Sequence, residues 1–143
     1  MKTSKLFAFL IIIVSFTSCK KNSNDPEYYM RATIDGNTWS SNDVHFFSIG
    51  NTNTVTGKKS GNIYLEVKLE KDVTGTFDIK DGVGRIAYSD GTYTYSNNIA
   101  GSISIESNNP DLIQGTFNVT NVASFIEDTL VFTNGSFKYI SSF

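Results

Sequence analysis

Few residues in this 143-residue chain are equipped to do chemistry: one cysteine, Cys19, one histidine, His45, and one tryptophan, Trp39. A single thiol cannot close an internal disulfide, so any fold must rest on its core. His45, in Val44-His45-Phe46-Phe47, has no partners in sequence that would assemble a triad or a zinc site, and is expected on a sheet face. The carboxylates are scattered singly through turn-like segments. Asp81-Gly82 and Asp90-Gly91 lack the spacing of an EF-hand or a nonapeptide calcium repeat and are better explained by turn chemistry. A glycosidase pair needs only proximity in space, but Glu66 and Glu70 read as strand and turn residues. No catalytic residue, metal ligand or cofactor is therefore nominated.

The aromatic residues offer a different chemistry. Trp39 follows the Asp35-Gly36 step and is expected first as a plug at the open end of a sheet system, since a ring of its size buries about 150–250 Å². The functional alternative is a ligand-facing, sugar-stacking platform of Trp39 with Tyr88, Tyr93 and Tyr95, although tyrosines around a hairpin are more often cross-strand pairs. Without Lys2 and Lys5 of the leader, 10 basic side chains face 14 acidic ones, a net charge of −4, which argues against nucleic acid as a partner.

Elements that position these residues begin with a leader. Lys2 and Lys5 precede the uninterrupted apolar run Leu6 to Val14, the pattern of a signal peptide over residues 1–18 and too short for a comfortable span. Thr17-Ser18-Cys19 resembles the lipobox of bacterial lipoproteins, with Phe16 where leucine is usual. That resemblance implies lipidation of Cys19 by diacylglycerol and acyl chains such as palmitate, which would anchor the chain stably in a bilayer. Residues 19–26 form a polar tether, Lys20 and Lys21 at headgroup level, leading to a single domain over 27–143. The implied location is the cell envelope, at the outer membrane of a Gram-negative bacterium, with the periplasmic and surface faces both open.

Within the domain the period is two. Tyr28 to Ile34, Asn62 to Leu69 and Leu130 to Thr133 alternate or are β-branched, and only Val122 to Asp128 has room for a helical turn as an alternative to a strand end and loop. Asp35-Gly36, Asp81-Gly82, Asp90-Gly91, Asn108-Asn109-Pro110 and Asn134-Gly135 read as tight turns. A Gly-polar-apolar-polar-apolar pattern starts at Gly61, Gly75, Gly101, Gly115 and Gly135, too unevenly spaced for a solenoid, the glycine serving a turn or bulge. These signals predict an all-β antiparallel meander that forms a β-sandwich or a flattened β-barrel of about 8–10 strands.

The order Ile34-Asp35-Gly36-Asn37-Thr38-Trp39, Gly115-Thr116-Phe117 and Thr133-Asn134-Gly135-Ser136-Phe137 resembles a family of uncharacterised Bacteroidetes lipoproteins of the domain-of-unknown-function type. The resemblance implies fold and location and transfers no functional residue. Asp128-Thr129-Leu130 resembles the Asp-Thr/Ser-apolar acceptor of periplasmic O-glycosylation in Bacteroidetes, which nominates Thr129. The functional expectation is a non-enzymatic, membrane-anchored β domain that binds a glycan, a peptide or another envelope protein. The alternatives are a structural accessory subunit of an envelope complex and a small hydrolase with an unrecognised carboxylate site.

Overall fold

A computed structural model describes residues 27–123 and 126–141. The leader, Cys19 and the tether lie outside the described residues. Ten strands follow in order: β1 (Tyr29–Ile34), β2 (Asn37–Ser41), β3 (Asp43–Ile49), β4 (Thr52–Lys58), β5 (Ile63–Glu70), β6 (Gly75–Asp78), β7 (Gly84–Asp90), β8 (Thr94–Asn108), β9 (Leu112–Ala123) and β10 (Thr129–Ile140). A 3₁₀ turn, Ile79–Asp81, separates β6 from β7. Val122 and Ala123 continue β9, so the described part of the Val122–Asp128 stretch is a strand end and a turn.

All pairings are antiparallel, in the order β2-β1-β10-β9-β8-β7-β5-β4-β3, with β6 beside β8. The sheet curls into a nearly closed barrel, so of the two architectures expected it is the barrel that forms. The meander holds from β3 to β5 and from β7 to β10. It breaks where the N-terminal strand β1 pairs with the C-terminal strand β10, and where the chain turns the corner from β2 to β3 without pairing them. Ser41 makes that corner: its Oγ accepts from Asp43 N at 3.0 Å and donates to the Lys58 carbonyl of β4 at 2.5 Å, drawing the two free edges together.

Alternation puts Met30, Ala32 and Ile34, Leu65, Val67 and Leu69, Ile103 and Ile105, and Phe117, Phe132 and Phe137 inside, all of them buried. Asp35 (φ 45°) and Gly36 (φ 82°) both take the left-handed conformation, the pair of positive φ values that a two-residue I′ hairpin demands. Asn134-Gly135 is a correction to the turn reading. It lies inside β10, where Thr133 and Asn134 together face Asn118 in a bulge, and the Asn134 N–H donates to Asn118 Oδ1 at 2.9 Å. The same left-handed tolerance that makes Asn-Gly a turn signal here bends a strand. Gly135 is required for contact: any side chain there would run into the Phe117 ring.

β8 leaves β7 after two residue pairs, Tyr88 with Tyr95 and Ser89 with Thr94. Asn98 bridges the resulting gap, its Oδ1 accepting from Ile86 N at 3.0 Å and its Nδ2 donating to Ile86 O at 2.8 Å, so a side-chain amide stands in for a missing strand pair. Asn121, fully buried, donates to the same carbonyl at 3.0 Å and accepts from Asn98.

Candidate functional site

Because neighbouring strands are antiparallel, the β1–β2, β7–β8 and β9–β10 connections share one end of the barrel, called the mouth here. Tyr29 at the start of β1 and the β3–β4 and β8–β9 connections mark the other end, the base. The mouth holds a cavity of about 300 Å³ lined by Ile34, Trp39, Tyr88, Tyr95 and Leu130 below and by Asp35, Asn37, Thr38 and Asp90 at the rim. The fold thus brings together three of the four aromatics read as ligand-facing. Tyr93 does not line the cavity; it sits exposed on the β7–β8 turn, its N–H donating to Asp90 Oδ1 at 2.7 Å.

Trp39 pairs with Ala32 across β1 and is only 5% exposed, packed into the core as a plug. Its ring stands edge-on to Tyr88 with centroids 6.5 Å apart, and the Lys59 Nζ lies 5.4 Å from its centroid. The indole Nε1 is buried with no hydrogen-bond partner in the described structure. A buried donor left unpaired costs about 1–3 kcal/mol, so this atom is unusual in a core whose buried amides are otherwise bonded. Tyr88 is half-buried and also contacts Tyr95 and Phe132, at 6.3 and 5.8 Å between centroids.

Tyr95 is buried, and its hydroxyl donates to Asp128 Oδ2 at 3.1 Å. Burial, then that hydrogen bond and the nearby charges of Asp128 and Asp90, push its phenol up to about 12. Burial and, second, the charge of Asp90 raise Tyr88 as well. Asp35, Asp90 and Asp128 were legible in sequence only as turn residues or part of an acceptor motif. Their common end of the barrel follows from the alternation of hairpins, which needs the whole strand order. Each caps backbone: Asp35 Oδ1 accepts from Val131 N, Asp90 Oδ1 from Thr92 N and Tyr93 N, all at 2.7 Å, and Asp128 Oδ1 from Thr129 N at 3.0 Å.

A family model described as a domain of unknown function, DUF6252, matches residues 26–141. The chain belongs to that family. None of the curated proteins and none of the solved structures matches it. The remaining candidates do not line the cavity of the DUF6252 barrel. His45 is exposed on β3 with Nε2 3.0 Å from Asp43 Oδ1, both side chains open to solvent. Glu66 and Glu70 both belong to β5, so the turn expected at Glu70 is the last residue of the strand. Thr129 is exposed at the first position of β10, beside the capping Asp128. Among the described residues no group of three His, Cys, Asp or Glu side chains gathers as a metal site.

Proposed function

We propose that this DUF6252 protein is a lipid-anchored component of a Gram-negative envelope, attached through Cys19, and that its barrel mouth binds a small ligand, with a glycan the leading class. The observation that carries the reading is an aromatic-lined, partly open cavity with Trp39 among its lining residues, a side chain whose buried Nε1 has no partner among the described residues: an acceptor brought by a ligand would complete its hydrogen bonding. β1 runs from Tyr29 to Ile34, so the mouth lies at the end away from the point where the tether joins, a suitable place for a site that faces away from a bilayer. The leader, its Thr17-Ser18-Cys19 ending and the polar tether support the anchor.

Trp39 is the only tryptophan, so its emission reports on the mouth without interference. A glycan array on the purified protein, followed by fluorescence titration of each hit, is expected to yield a ligand that changes Trp39 emission; hits that leave the emission untouched would refute a mouth site. An intact mass of the host-expressed protein equal to the cleaved, unmodified polypeptide would refute the anchor. One observation favours a second reading, an accessory subunit of an envelope complex. The end strand β3 exposes Phe47 and Ile49, the latter 72% open, along an edge that pairs on one side only. Affinity capture of a stable envelope partner, lost in Phe47→Ser/Ile49→Ser, would support it.

A further inference from the structure

The mouth has a sign as well as a shape. Among the described residues that line the cavity, the ionisable rim residues are Asp35 and Asp90 and there is no lysine or arginine, while Asp128 is bonded to the lining residue Tyr95. Asp35 and Asp90 each spend one oxygen, Oδ1, on backbone N–H groups, and among the described residues neither Oδ2 has a hydrogen-bond partner. Both phenols that line the cavity have their ionisation disfavoured partly by Asp90, so the negative field reaches the rings. Aromatic faces present negative charge to anything placed over them, and Trp39 already carries a cation there, the Lys59 ammonium.

Aromatic walls beneath an acidic rim favour an organic cation over a neutral or anionic ligand, and the buried, unpartnered Trp39 Nε1 calls for an acceptor oxygen on the same molecule. We propose that the mouth recognises a small hydroxylated ammonium compound, either an amino alcohol or a sugar with a free amine, its charged nitrogen against Tyr88 between Asp35 and Asp90 and its oxygen toward Trp39. This inference rests on the mouth being the ligand site and names the ligand's charge.

The test titrates the full-length protein in a nonionic detergent, following Trp39 emission. Choline and glucosamine are the charged probes, 3,3-dimethylbutan-1-ol and N-acetylglucosamine their neutral counterparts. The expected result is half-saturation at concentrations at least about tenfold lower for a charged probe than for its neutral counterpart. Choline alone, glucosamine alone or both would each support the proposal and identify the source of the ammonium group. In Asp35→Asn/Asp90→Asn, whose amide oxygens keep both turns capped, the preference should fall to within about twofold. Equal response to charged and neutral probes would overturn the cation claim while leaving the mouth as a site. A response unchanged in a Tyr88→Leu variant with a wild-type circular dichroism spectrum would overturn the placement. No response to any of the four probes would overturn the inference, and only the added failure of every glycan hit to move Trp39 emission would take the mouth reading with it.

Discussion

At the base of the barrel Asn53 and Asn108 are buried and fully engaged, whereas at the mouth Trp39 is equally buried and its N–H has no partner among the described residues. Asn53 Nδ2 donates to Asn108 Oδ1 at 2.9 Å, Asn108 Nδ2 donates to the carbonyls of Glu70 and Val73 at 2.5 and 3.2 Å, and Ser48 Oγ donates to Asn53 Oδ1 at 2.9 Å. Polar side chains at the base therefore lock strands β4, β5 and β8 together. The polar atom at the mouth locks nothing. The difference separates a structural end, where the buried amides of Asn53 and Asn108 answer each other and the backbone, from an end with hydrogen-bonding capacity left over for something outside the chain.

Substitutions can break or sharpen this contrast. Between the two ends, Phe117→Ala removes a fully buried ring that also covers Gly135, and should cost about 3–5 kcal/mol in urea unfolding, the reference for a change that respects neither end. Asn108→Ala should cost about 2–3 kcal/mol, because it leaves buried Asn53 and two carbonyls without their partner, and it should leave ligand titrations at the mouth unchanged. Trp39→Phe should stay within about 1 kcal/mol of the wild type, since the lost bulk is offset by removing an unpaired donor, and should weaken mouth binding. A loss of stability for Trp39→Phe as large as that for Asn108→Ala would erase the contrast.

Alkaline pH offers a smaller, independent check on the mouth. Tyr95 holds its proton to about 12 in the folded state against 10.0 for a free phenol, so the unfolded chain binds fewer protons between those values. Stability contributed by the neutral phenol is complete below pH 10 and falls as pH rises toward 12. Unfolding midpoints measured across that window should decline, and Tyr95→Phe should flatten the decline while lowering the midpoint at neutral pH through loss of the Asp128 bond.

Much of the fold was legible in the residues. The alternation of Leu65, Val67 and Leu69 put them inside, Asp35-Gly36 declared its hairpin, and Trp39 is buried against the core, as its size suggests. Asn134-Gly135 misled because left-handed backbone serves a bulge as readily as a turn. Asn98 and Asn121 gave no signal at all: their task, bridging a gap between β7 and β8, exists only once those strands diverge. The site was half legible. Tyr88 and Tyr95 are cross-strand partners, as tyrosines near a hairpin usually are, and they line a cavity as well because that pair faces inward at the barrel end. Tyr93, two residues before Tyr95 and ahead of β8 on the turn, is exposed and does not line the cavity. The acidic rim was hidden inside ordinary turn chemistry, since a capping aspartate looks the same whether or not its second oxygen faces a ligand.

The most direct test of the mouth as a site with spare hydrogen-bonding capacity is the ¹H–¹⁵N correlation spectrum of the single indole group, which gives one isolated signal because Trp39 is the sole tryptophan. Titration with the ligand that moves Trp39 emission should shift that signal downfield and slow its exchange with solvent, as a new acceptor engages Nε1. A saturated complex in which the indole signal stays at its free position, while backbone signals elsewhere move, would contradict it.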